Sequence, residues 1–427
     1  MHFKRMTWLA LVAAFAMVVA ACGGGEAEET TTTTAAEATT TTAAPETTTT
    51  AAAAASLLVW ADENRAPVVQ AVAPAFTEAT GVEVKVEIVD FGQIKDQVGV
   101  AGPAGEGPDI FVGAHDWTGE LAANGVISPI DLGAKAGDFF PVALQAFSFE
   151  GSLFAVPYAT EAIALYYNTD LVPEAPETFE EIGAICDALE GIENCVGVPG
   201  GGDGADAYHN YPFVSALGGY IFAYDEATGY DTADVGLDSE GAVAGVTFLE
   251  GLVADGVVGS VNYDTAKNLF LEGQQPFWMT GPWERGTLEG QDTVNWAVAK
   301  LPTIEGNAPA PFVGAQGMFL SAFSENTLIA QSFLLDFIAT EEAMQALYDA
   351  DPRNPSFIPV FEALADDPVA QTFAASAADG NPMPNVPQMG SVWGPLGDNL
   401  LLVRNAALGA DEAMANAAQA VRDAIAG

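Results

Sequence analysis

Two hydrophobic rhythms alternate along the chain from Leu57 onward. Leu57-Leu58-Val59-Trp60 is a short apolar run and predicts a buried strand. Val68, Val69, Val72, Ala73 and Phe76 recur at helical spacing, and Gly81 marks the end of that helix. Val82, Val84, Val86 and Ile88 alternate with Glu83, Lys85 and Glu87, the two-residue period of a strand. A short helix is predicted over 93–100, then a strand over Pro108-Asp109-Ile110-Phe111-Val112. This β-α-β-α-β order implies a parallel sheet with right-handed crossovers. Ligands of such sheets sit beyond the carboxyl ends of the strands, here residues 61–65 and 113–117. Helical patterns follow over 239–252, 328–337, 342–347 and 411–425, so the remainder reads as a second α/β unit with C-terminal helices. No solenoid period is present.

Before Leu57 the pattern is of another kind. His2-Phe3-Lys4-Arg5 is basic, and Trp8 to Ala21 is 14 residues of nearly pure hydrophobicity, too short for an untilted membrane span. Ala20-Ala21 lead into Cys22 and then Gly23-Gly24-Gly25. This layout resembles the bacterial lipoprotein signal, in which residues 1–21 are removed and Cys22 becomes a lipidated N-terminus. An ordinary signal peptide with an incidental cysteine is the plainer alternative. Residues 22–55 hold 13 threonines between Thr30 and Thr50, without hydrophobic period, and are expected to be a disordered tether. The expected location is extracytoplasmic: anchored by lipid alone to the outer face of a bacterial cell membrane, or periplasmic.

Composition narrows the chemistry. The 427 residues allow two or three domain-sized units, and 50% hydrophobic residues suffice for packed cores. Twelve Lys+Arg against 58 Asp+Glu give a net charge of −46, which repels nucleic acid and excludes it as a partner. Three cysteines and three histidines leave too few ligands for a metal cluster, so no metal or cofactor is expected, and His115 and His209 read as structural loop residues. Outside the cell, Cys186 and Cys195 read as a disulfide stapling a local loop; two buried thiols are the alternative. There is neither a G-x-S-x-G elbow nor a Walker loop, and no catalytic residue is assigned. Gly200-Gly201-Gly202-Asp203-Gly204-Ala205 loosely fits a dinucleotide fingerprint, but no strand clearly leads into it, and it reads as a flexible loop.

What recurs is an aromatic beside a polar residue: Asp116-Trp117, Asp206-x-Tyr208, Pro282-Trp283-Glu284-Arg285 and Val392-Trp393-Gly394. Sugars present C–H faces that pack on flat rings and hydroxyls that bond to carboxylates, amides and guanidinium groups. Simple core packing explains any one ring equally well. The set has weight only if these loops converge on one cleft.

Longer stretches then resemble one family, in fixed order. They are Pro108-Asp109-Ile110-Phe111-Val112-Gly113-Ala114-His115-Asp116; Val156 to Asn168; Gly281-Pro282-Trp283; Pro302-Thr303 with Pro311-Phe312-Val313-Gly314; and Met383-Pro384-Asn385-Val386-Pro387-Gln388-Met389 with Trp393. Together they are similar to the maltose/maltodextrin-binding proteins, solute receptors of carbohydrate ABC importers, over essentially all of 56–427. The resemblance implies a periplasmic-binding-protein-like fold: two α/β lobes, a hinge and a ligand cleft between them. Lobe one would comprise 56–160 plus 315–362, and lobe two 161–314 plus 363–427. It further implies a non-enzymatic monomer that captures malto-oligosaccharides by hinge closure and meets the membrane permease subunits of an ABC importer.

Carried over residue by residue, the ligand-binding positions are Asn64, Arg65, Asp116, Trp117, Glu161, Asp206, Tyr208, Trp283 and Trp393. Asp116, Glu161 and Asp206 would accept sugar hydroxyls, Arg65 would donate, and Tyr208, Trp283 and Trp393 would form an aromatic floor. The chain departs from the family at Trp117, where a basic residue is known, and at Gly113, where an aromatic is common. Gln93 stands where an acid is often found, and no Arg follows Trp393 by one turn. Besides a purely structural surface lipoprotein whose aromatics are merely packed, two rivals stay open. One is a receptor for another glucoside, such as trehalose or cyclodextrin. The other is a secreted glycosidase pairing Glu161 with Asp116 or Asp206, which would need a defined carboxylate spacing.

Overall fold

The computed structural model describes residues 56–225 and 228–427. The signal segment, Cys22 and the tether lie outside these residues. The first strand, Ser56–Ala61, enters the helix Ala66–Thr80, which stops at Gly81 in the left-handed conformation (φ 76°) that suits glycine. The strand Glu83–Ile88, the helix Phe91–Ala101 and the strand Ile110–Ala114 follow, close to the predicted bounds. Ser56–Ala61 pairs in parallel with both other strands. Glu83–Ile88 is an edge strand, which leaves its last residue, Ile88, 61% exposed.

The long strand Phe312–Ser321 closes this sheet from far away in sequence. It lies antiparallel between Ile110–Ala114 and Ala155–Glu161, and Asn354–Pro355 pairs beyond. Leu57, Val59, Ile110, Val112, Met318 and Leu320 pack one face of the sheet against helices that include Val69, Phe76 and Leu347. Trp60, Phe111, Phe147 and Phe319 fill the other face.

After Glu161 the chain passes directly into a second, four-stranded sheet. Its order is Trp296–Ala299, Ala164–Asn168, Phe277–Thr280 and Val196–Gly197. Leu165, Phe277 and Met279 pack on one side of it, and Tyr166 and Trp278 on the other. The helices Ala207–Ser215, Glu240–Ala254, Trp393–Arg404 and Ala410–Ala426 form an adjoining apolar layer. The architecture is thus two α/β lobes.

Some local readings change. The pattern over 328–337 forms the helix Thr327–Gln331 followed by a wider-wound segment, Ser332–Ile338. The Gly200–Ala205 stretch is not a loose loop. Gly201 N–H donates to Val261 O (2.9 Å), and Gly202 N–H reaches Ser260 Oγ (2.8 Å) and Asn405 Oδ1 (3.0 Å). Arg404, fully buried, donates to the carbonyls of Val198 and Pro199 just before it. Cys186 and Cys195 are joined, with Cα atoms 5.8 Å apart, and tie the helix Phe179–Asp187 to the small sheet.

Candidate functional site

Between the two sheets lies a cavity of about 640 Å³, a size suited to a small ligand. The carboxyl ends of Ser56–Ala61 and Ile110–Ala114 open onto it. Asn64, Arg65, Asp116, Trp117, Glu161, Asp206, Tyr208, Trp283 and Trp393 all line it. Met383 lines it as well, and so do Asp62, Phe91, Lys95, Glu120, His209, Tyr263, Gln316 and Arg353, none of which the sequence pattern points to as a ligand contact. A separate groove of about 570 Å³ is lined by tyrosines, His115 and amides, with no carboxylate or guanidinium.

The large-sheet side carries a buried chain of hydrogen bonds. Arg65 donates from Nη1 to Asp62 Oδ2 (3.0 Å) and from Nε to Gln316 Oε1 (3.0 Å). Gln316 Nε2 donates to Glu161 Oε1 (2.8 Å), and Arg353 Nη1 to Glu161 Oε2 (2.8 Å). Arg353 Nε donates to Asp351 Oδ2 (2.6 Å). Phe91 lies flat under the Arg65 guanidinium, 3.9 Å from ring centre to Cζ. A register shift between Gln316 and Gly317, where Phe312–Ser321 meets Ala155–Glu161, is the kind of irregularity that re-aims a side chain at a site. Arg65, expected to donate to ligand, therefore spends two donors inside the protein.

The small-sheet side is built around helix ends and rings. Asp206 caps the helix Ala207–Ser215: Oδ1 accepts from His209 N–H (2.9 Å), and Oδ2 accepts from His209 Nδ1 (2.7 Å). Burial pushes this carboxyl up, but His209 outweighs it and holds Asp206 below the usual carboxylate range. Trp283 Nε1 donates to Tyr263 Oη (2.6 Å), and Tyr263 donates onward to Glu284. Rings then pack one against the next from Trp283 to Trp393, with Phe312 buried and off the cavity lining. Centroids lie 6.0 Å apart for Trp283–Tyr208, 5.9 Å for Tyr208–Phe312 and 5.6 Å for Phe312–Trp393.

Two tryptophans fold back over glycines at strand ends. A Cβ on Gly113 would run into the Trp117 ring, and one on Gly281 into the Trp283 ring. Trp117 thus covers the position of Gly113, and its ring also meets Phe91 at 4.9 Å.

Hydrogen bonds also join the sides. Trp393 Nε1 donates to Asp116 Oδ2 (3.0 Å). Burial lifts the Asp116 carboxyl to about 6, against the pull of Trp393 and Lys95. Ala315 N–H donates to His115 Nδ1 (3.0 Å), so the proton sits on Nε2, which donates to Met383 O (3.0 Å). Burial pushes the His115 imidazole down to about 4, and it serves as a neutral structural tie.

With this geometry in place, the comparisons with known proteins define the class. The model for bacterial extracellular solute-binding proteins matches residues 71–378. The chain belongs to that family. It is 30% identical to a maltotriose-binding protein of Pyrococcus abyssi, over 79% of this chain and 75% of that protein. It is 26% identical to a galactooligosaccharide-binding protein of Bacillus subtilis, over 86% and 89%. It is 27% identical to a maltooligosaccharide ABC transporter solute-binding lipoprotein of Streptococcus pneumoniae, over 79% and 81%. No described helix is long and apolar enough to cross a membrane.

Proposed function

We propose that this protein captures malto-oligosaccharides in the cavity between its lobes and delivers them to the permease subunits of an ABC importer. One observation carries the reading. The rings Trp283, Tyr208 and Trp393 and the carboxylates Asp116, Glu161 and Asp206 meet in one cavity, which supplies both surfaces a sugar needs. Relatives named for maltotriose and maltooligosaccharide binding support the sugar class. The lobes divide as 56–160 plus 315–362 and 161–314 plus 363–427, and closure is a hinge motion between them. Lipidation of Cys22 holds the monomeric protein at the membrane, with residues 22–55 as tether. The role is binding, not hydrolysis, in keeping with a family of solute-binding proteins and relatives named for binding.

Calorimetric titration of the purified protein with maltose, maltotriose and longer maltodextrins tests this, with trehalose and cyclodextrin alongside. Saturable binding of the maltodextrins without release of shorter sugars is the expected outcome. The relative named for galactooligosaccharides motivates a second arm. Tighter binding of galacto-oligosaccharides than of maltotriose would replace the malto reading with a galacto one.

A further inference from the structure

The chain has 12 Lys+Arg against 58 Asp+Glu, yet one arginine is almost wholly enclosed at the base of the cavity. Arg353 is 2% exposed and lines the site. Its Nε is taken by Asp351 and its Nη1 by Glu161. Its Nη2 bonds to no described residue and is not fully enclosed, on a side chain that lines the cavity. Beside it, each Glu161 oxygen accepts one hydrogen bond from the protein and keeps capacity for a second. Trp283, from the other lobe, stands over this pair with its ring 5.8 Å from the Arg353 Cζ.

We infer that Arg353 is a specificity-determining residue, which with Glu161 reads two adjacent hydroxyls of a sugar ring stacked on Trp283. One hydroxyl donates to the carboxylate, and its neighbour accepts from the guanidinium Nη2. The pair is matched to a vicinal diol because its two partners sit side by side with opposite hydrogen-bonding sense. A planar fork fixed at two nitrogens loses little freedom when the third engages, and a lysine cannot reproduce it. Asp351 and Gln316 hold the pair's two ends, so the reading frame exists before ligand arrives. This inference rests on the proposed sugar-binding role of the cleft.

The test is a panel of monodeoxy maltoses titrated against wild type, R353K, R353M and E161Q. Wild type should bind the parent sugar far better than the two analogues lacking either hydroxyl of the recognised diol. R353M should weaken the parent about 100-fold and bind the corresponding deoxy sugar no worse than the parent. R353K should weaken it about tenfold. The double variant E161Q/R353M should bind little worse than E161Q, because the two groups act as a unit. It removes the Arg353 and Glu161 charges together and leaves only Asp351 without its partner, and R353K, which keeps a cation beside both acids, supplies folded protein if R353M does not fold. Equal losses for parent and every deoxy analogue would overturn the inference and leave Arg353 a structural residue, with sugar binding intact. Failure of wild type to bind any oligosaccharide would instead overturn the proposed function.

Discussion

On the large-sheet side of the cavity, Asp62, Arg65, Gln316, Glu161, Arg353 and Asp351 form one unbroken run of charge-assisted hydrogen bonds. On the small-sheet side, Trp283, Tyr208 and, beyond Phe312, Trp393 are half-buried rings: Trp283 donates within its lobe, Tyr208 Oη has no partner among the described residues, and Trp393 donates across to Asp116. The first side holds its groups by electrostatics in a dry setting, where a lost partner is expensive. The second holds them by shape, with Gly281 leaving room for the Trp283 ring. The difference teaches where each side is fragile. Charge deletions should damage the first, and an added methyl should damage the second.

The largest effect should come from Arg353→Met. It leaves Glu161 and Asp351 buried without their shared cation, and breaking a buried pair on one side costs about 3–5 kcal/mol. Urea unfolding should show a midpoint lowered accordingly, with E161Q/R353M closer to wild type. A single variant as stable as wild type would show that water enters this side freely.

Next comes Asp116, a charge the fold tolerates rather than favours. Its carboxyl titrates at about 6 because it is buried, above its ordinary value of 3.8. The folded state therefore binds the proton more readily than the unfolded chain. Stability from this group is full below pH 3.8 and is lost as pH rises through about 6. Asp116→Asn keeps an acceptor for Trp393 and removes the charge. It should stabilise the protein at pH 7.5 by up to about 3 kcal/mol and leave it unchanged at pH 3.5. His115 slopes the other way, since its contribution is present above 6.5 and lost as pH falls through about 4. The difference between wild type and D116N isolates the carboxyl. An equal gap at both pH values would mean that Asp116 is not desolvated.

The glycine-held rings come third. Gly281→Ala drives a Cβ into the Trp283 ring, and overpacking of this kind costs about 1–3 kcal/mol. The half-buried Trp283 can swing into the cavity, so tryptophan emission and sugar affinity should both change. Gly113→Ala meets Trp117, which is only 8% exposed and wedged beside Phe91. Its cost should fall on stability more than on affinity. Reversed behaviour of the two variants would assign the sugar-facing ring to the large-sheet side.

The two sides also differ in how far they could be read from sequence. Rings and acids at strand ends announce themselves: Asp116-Trp117 and Pro282-Trp283 follow apolar strands and precede helices. Every ligand position carried over from the family faces the one cavity. Gln316 and Arg353 did not stand out, for physical reasons. Gln316 sits inside the apolar run Phe312–Ser321, and which face it takes depends on a register shift against a strand some 150 residues earlier. Arg353 lies in the turn Asp351-Pro352-Arg353-Asn354-Pro355, which reads as a surface loop. Its one local clue was a cation between two prolines in a chain so poor in cations. The anchoring of Gly200–Ala205 was equally hidden, since its partners are Ser260, Asn405 and, through the preceding carbonyls, Arg404.

The smallest expected change in stability tests whether the small-sheet side contains a group kept waiting for ligand. Tyr208 Oη is buried and has no hydrogen-bond partner among the described residues, and burial pushes its pKa well up, so it remains a protonated donor. An unsatisfied buried hydroxyl is a cost, and Tyr208→Phe removes it while preserving the ring that meets Trp283 and Phe312. The free protein should gain about 1 kcal/mol or stay unchanged. If the hydroxyl bonds the sugar, maltotriose should bind Y208F about tenfold more weakly, a loss of about 1.4 kcal/mol. Thermal melts with and without saturating maltotriose separate the two terms, because ligand stabilisation depends on affinity alone at fixed concentration. A variant more stable when free and less stabilised by sugar would place the hydroxyl at the ligand. A variant whose sugar-induced shift equals that of wild type would make Tyr208 a packing ring only, and the small-sheet side would then recognise its ligand by shape alone.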